Sequence, residues 1–347
     1  MRAFLLAILI ALTPAAEGAR RQEEAVRIGL PEPVELAMVV AAISPLDRDG
    51  ATLDRQGAYF ESVEAHFGAY RDHPLFDALG AEFNLPRLAG NAADFAFGES
   101  GELIETDSSG SLWGDREGDL FRNNLELLEH FARESGFRDF YAASREVYAA
   151  GAQALASQID TAAMTAWLHD NFSERPGAIE VIVSPLIGGL NWTTLNEPQT
   201  RIWLGPPSGE AAEALGDYER VLASVQIFTE LDHSYVNPVT ARHLGNVQAS
   251  FGDIAFWADE RGAGAYPSAE LQFNEYMTWA VFLMYAADQL GPADYERLEA
   301  LVVSYMVDNR GFIRFQPFAR RALSLYRSGM AGEAVVIAMA ARPGVAP

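Results

Sequence analysis

The spacing of apolar and polar positions divides the chain into blocks of different period. Tyr59, Val63, Phe67 and Tyr70 recur at intervals of three and four, which predicts helical structure within 59–79. The same spacing returns over 121–135, 137–157 and 161–169 and stops at Pro176 and Gly177. Residues 85–120 are rich in Gly, Ser, Asp and Asn and read as a long loop with one hairpin over 94–106. Residues 34–44 form an apolar segment bounded by Pro33 and Pro45. Two short β-branched runs follow at 179–183 and 201–204, with a polar stretch over 191–200 between them; a strand pair joined by a long excursion is the simplest reading. Beyond residue 210 the period is helical again, over 210–235, 269–289, 292–308, 317–327 and 332–341. Asp217 is a candidate helix start, and Pro292 suits a first helical turn. The expected fold is α+β, with a mixed, mainly helical region over 19–177 and a helix-rich half with a small sheet over 178–347.

The N-terminus adds a targeting segment. Arg2, the apolar run 3–12 and the small-residue stretch 13–19 are the three regions of a secretory signal. Ala16 and Gly18 place the expected cleavage after Gly18, so 1–18 reads as a signal peptide and the remainder as exported, to periplasm or medium. The run falls short of the roughly 20 residues of a spanning helix, and the alternative is an uncleaved anchor. Composition narrows the partners. The chain has 347 residues; its 25 basic residues are all arginine and face 48 acidic ones, for a formal net charge of -23. Nucleic acid and anionic membrane both need a basic face, so neither is an expected partner. Cysteine is absent, which excludes disulfides, thiolate metal sites and cysteine nucleophiles. A hydrophobic content of 49% is ample for a packed core.

The segment richest in candidate chemistry is VQIFTELDHSYVNP, 225–238. At about 100° per residue, Leu222, Val225, Thr229, Asp232 and His233 share one helix face, with Glu230 at its edge. A carboxylate and an imidazole thus fall where the pattern predicts burial, and buried charge must be paired or bound to metal. The plainer reading is a satisfied polar pair near a helix end, with Asn237 and Pro238 closing the helix. The spacing is similar to the zinc-peptidase helix His-Glu-x-x-His, with Thr229 at the first His position, Glu230 as the Glu and His233 as the second His. A later helix carries Asn274, Glu275 and Tyr276, where a third ligand would lie.

With the stretches VELAMVVAAISPL, YFESVEAHFGAYRDHPLFDAL, LLEHFARESGFRDFY, IEVIVSPLIGGLNW, FTELDHSYVNP and FNEYMTWAV, the chain resembles a bacterial exported family, domain-of-unknown-function 4932, grouped with gluzincin-type metallopeptidases. HSYVNP after the ExxH is the most specific part. The resemblance implies a zincin-like C-terminal half and a peptide or protein as substrate or partner. It implies zinc or another divalent metal held by His233 and Glu275, with Asp232 as a compensating ligand and Glu230 as general base. Tyr235, Tyr276 or Tyr266 would stabilise the oxyanion. Thr229 departs from the motif, because a neutral hydroxyl is a poor zinc ligand and zinc catalysis wants three protein ligands and one open position. Two expectations follow: a weakly active or silent relative that binds a peptide or partner, and an active metal-dependent peptidase with a non-standard ligand set.

The other candidates are weaker. His73 reads as a turn or helix boundary before Pro74; His66, His130 and His169 read as solvated; His243 reads as surface. Ser184 lacks the GxSxG elbow, Ser234 diverges from its neighbour His233, and two acidic residues among 48 are too cheap a signal for a glycosidase. Arg310, Arg314, Arg320, Arg321 and Arg327 form the basic concentration and read as salt-bridging to the acidic majority.

Overall fold

The computed structural model describes residues 26–46, 53–80, 83–106, 119–188, 192–196, 199–207 and 215–342. The expected signal peptide lies outside them, and no described helix is long and apolar enough to cross a membrane. The fold is helix-rich α+β, as the spacing predicts. Strand β1 (Arg27–Gly29) leads into helices α1 (Glu32–Ile43), α2 (Ala58–Phe67), α3 (Pro74–Leu79) and α4 (Leu85–Ala92). The hairpin β2 (Phe95–Phe97) and β3 (Leu103–Glu105) follows, then α5 (Leu125–Glu134), α6 (Phe137–Ala143), α7 (Arg145–Gln158) and α8 (Thr161–Asn171). Strands β4 (Ala178–Val183), β5 (Trp192–Asn196) and β6 (Gln199–Leu204) complete the sheet. Then come α9 (Asp217–Leu231), α10 (His233–Arg242), α11 (Leu244–Phe251), α12 (Ile254–Trp257), α13 (Glu260–Ala265), α14 (Ala269–Gln289), α15 (Pro292–Ser304), α16 (Phe315–Arg327) and α17 (Gly332–Ala341).

The main sheet has the order β1-β4-β6-β5. β1, β4 and β6 run parallel, and β5 is an antiparallel edge strand registered Thr193 to Ile202. The excursion between the two β-branched runs therefore contains a strand of its own. Its polar composition suits an edge, where one rim and part of one face stay solvated. Alternation along β4 sends Ile179, Val181 and Val183 into one core and Ile182 into the other, and β6 does the same with Ile202 and Leu204 against Trp203. The sheet is thus the partition between two helical layers. Because β1 pairs with β4, and α8 packs Met164 and Leu168 into the C-terminal core, the expected boundary at 177/178 runs through shared structure.

The apolar segment 34–44 supplies most of the buried helix α1 and its C-cap Ser44, and the helix carries no amphipathic signal because it is covered all round. The expected helix 210–235 begins at Asp217, after an N-cap at Gly216, and ends at Leu231. Asp232 makes a turn, and His233 opens α10, which holds Pro238 inside it rather than stopping there. α4 replaces part of the expected loop, opened by an Asn84 side chain that accepts from the Arg87 amide at 3.0 Å.

Candidate functional site

α9 buries Tyr218, Val221, Ile227, Phe228 and Leu231, so its last turn brings Glu230 beside the edge strand. There the Thr193 hydroxyl on β5 donates to Glu230 Oε2 at 2.5 Å and reaches the Glu230 carbonyl at 3.0 Å. α14, capped by Ser268 and buried along most of its length, carries Glu275 to the same place. His233 Nε2 stands 3.5 Å from Glu275 Oε1, and its Nδ1 lies 3.1 Å from Asn237 Oδ1 one turn further along α10. The His233 and Glu275 side chains are only 16% and 12% exposed.

A third group completes the cluster, and it comes from a segment the motif does not include. Arg310 Nη2 lies 2.7 Å from Glu275 Oε2 and donates to the Tyr266 hydroxyl. Its guanidinium also packs over the Tyr266, Trp279 and Phe312 rings. A π-helical turn, Tyr305–Asn309, delivers this arginine, and Gly311 at φ 79° turns the chain away behind it. Any side chain at Gly311 would run into the Asp259 carboxylate, which caps α13. Residues 308–311 read Asp-Asn-Arg-Gly, a turn signal that could have singled out Arg310 among the five clustered arginines.

The electrostatics follow from burial and pairing. Burial pulls the His233 imidazole down, but the hydrogen bond and charge of Glu275, then Glu230 and Asn237, push it up to about 9. Burial alone would raise Glu275, yet the Arg310 charge and His233 hold it below the usual carboxylate range. Glu230 is raised by burial, partly offset by the His233 charge and the Thr193 hydrogen bond. The result at neutral pH is an imidazolium and a guanidinium sharing one carboxylate, with a second, more easily protonated carboxyl alongside. In that state both imidazole nitrogens carry protons, one facing Asn237 and one facing Glu275.

Zinc does not fit these residues as they stand. The Thr229 hydroxyl donates back to the Val225 carbonyl at 2.8 Å. Each Glu275 oxygen already faces a cationic side chain, Oε2 with Arg310 Nη2 at 2.7 Å and Oε1 with His233 Nε2 at 3.5 Å. Asp232, expected as a compensating ligand, is fully buried at the turn closing α9. Its two oxygens have no hydrogen-bond partner among the described residues, and burial, then the Glu230 and Glu275 charges, raise it well above the ordinary range. The helical wheel placed it beside His233, but the chain turns between the two.

Two of the expected tyrosines stand elsewhere. The Tyr235 ring is buried against His169 and Phe172. The Tyr276 hydroxyl donates to the Trp257 carbonyl at 2.5 Å and accepts from the Arg314 amide at 3.1 Å, so it ties α14 to its neighbours. Tyr266 is the tyrosine at the cluster, its phenol raised by burial and by the Glu275 charge. Among the described residues, the group able to hold a metal ion is a different one: His73, His130 and Glu134. Comparisons with protein-family models, curated proteins and solved structures return no match to this chain.

Proposed function

We propose that this protein is a zincin-like relative that has exchanged its metal for an internal cation and forms beside β5 a cleft that binds a peptide rather than cutting it. The observation that carries this reading is the double engagement of Glu275, with His233 on one oxygen and Arg310 on the other. A metallopeptidase needs that carboxylate and that imidazole free to meet an ion; here their charges are already balanced. Glu230, the residue at the general-base position, has no activated water to deprotonate without a metal, and its carboxylate fastens the edge strand through Thr193. Among the described residues β5 pairs with β6 alone and ends the sheet, the position at which an extended peptide adds to a sheet.

The test uses a mixed library of fluorogenic peptides, incubated with the protein with and without chelator. Peptides retained by the protein and recovered uncleaved support the reading. Time-dependent cleavage that chelator abolishes would instead make the chain an active metal-dependent peptidase with a non-standard ligand set.

A further inference from the structure

We propose that His73, His130 and Glu134 form a divalent transition-metal site on the N-terminal helical layer, separate from the cleft. His130 and Glu134 stand one turn apart on α5, and His73 faces them from the residue before α3. Three atoms define the site. His73 Nε2 and His130 Nδ1 are 2.9 Å apart, and Glu134 Oε2 lies 3.7 Å from the first and 3.6 Å from the second. A point equidistant from those three atoms lies about 2.0 Å from each, which is the bond length zinc makes to imidazole nitrogen and carboxylate oxygen. The spacing is therefore that of a single small ion.

The surroundings suit such an ion. The His73 side chain is 3% exposed and its ring is held edge-on against Phe131, so one ligand is rigid. The His130 and Glu134 side chains are 54% and 53% exposed, which leaves the remaining coordination positions to water. Two imidazoles and one carboxylate with open positions select zinc, iron(II), cobalt or nickel over magnesium and calcium.

One exchange is built in. Without metal, His73 Nδ1 accepts the Leu75 amide at 3.1 Å, so the ring proton sits on Nε2 and is shared with His130. Coordination through Nε2 requires that proton on Nδ1, so the ion replaces the His73–His130 hydrogen bond and the Leu75 cap is given up. No net proton is released from His73, and the Leu75 amide reports the exchange.

The test is calorimetric titration of the intact, chelator-stripped chain with zinc chloride, next to His130→Ala, Glu134→Gln and His233→Gln. The expected result is one equivalent bound. Affinity should fall about tenfold or more in the first two variants and stay unchanged in the third. The Leu75 amide resonance should move on zinc addition in the unsubstituted protein. Because the His130 and Glu134 side chains are more than half exposed, both variants should keep their metal-free melting temperature, which separates lost binding from lost folding. Absence of saturable binding, binding that survives both substitutions, or binding lost in His233→Gln would overturn the proposal; the last outcome would also remove the cleft reading, whereas the first two leave it standing.

Discussion

Replacing His233 by Gln should flatten one part of the stability–pH curve. The imidazole titrates near 6.5 in an unfolded chain and near 9 in the fold. A group raised in this way stabilises the fold fully below its unfolded pKa, and the contribution is lost as pH rises through the folded value. The rise from 6.5 to about 9 corresponds to about 3 kcal/mol at most, because the ring is 16% exposed and solvent screens part of its charge. Glutamine keeps a donor toward Glu275 but carries no charge. Urea unfolding at intervals from about pH 6 to 10 would follow the loss. The original protein should lose stability through the window from 6.5 to about 9, while the variant starts lower and stays level. The two curves should meet above the window. The same slope in both proteins would show that His233 is not the protonated partner of Glu275, and the reasoning would fail.

Three further outcomes follow from the geometry. Glu35, fully buried on α1, accepts from Tyr59 at 2.6 Å and Ser184 at 2.9 Å, and burial outweighs both to push it up to about 7 from 4.5. Its contribution is full below 4.5 and lost as pH rises through about 7, so Glu35→Gln should remove a fall of about 3 kcal/mol in that lower window, seen as urea midpoints that no longer drift with pH. Arg310→Met should cost about 3 kcal/mol by leaving Glu275 short of a countercharge, and adding Glu275→Gln should recover most of it; a cost below about 1 kcal/mol in chemical denaturation would mean that the pair is dispensable. Tyr276→Phe should lower stability by about 1–2 kcal/mol through the unpaired Trp257 carbonyl and leave peptide binding intact. Lost binding at unchanged stability would return Tyr276 to the cleft.

The long elements were legible because their period persists: α14 and α17 follow the expected ranges, and the 94–106 hairpin closes with the Thr106 amide on the Asp94 carbonyl at 2.8 Å. α1 was harder to assign because burial on every side erases the amphipathic pattern. β5 was hidden because an edge strand can be polar. The ExxH spacing and the later helix pointed to His233 and Glu275 together, and their side chains stand 3.5 Å apart. What it obscured was local and long-range at once. A helical wheel assumes one continuous helix, and the turn at Asp232 breaks it before His233. Arg310 is linked to Glu275 only by the path of the chain through the π-helical turn. The His130 and Glu134 spacing on α5 was visible, but nothing in the sequence brings His73 to it, since that contact depends on how α3 packs on α5.

In the proposed reading His233 is doubly protonated against Glu275 and stays so in the presence of zinc. Nitrogen NMR of the His233 ring at about pH 7.5, before and after one equivalent of zinc, tests it most directly. Two protonated ring nitrogens, unchanged by zinc, are the expected result. A neutral ring, or one whose Nε2 loses its proton and shifts when zinc is added, would contradict the account and return the cleft to metal chemistry.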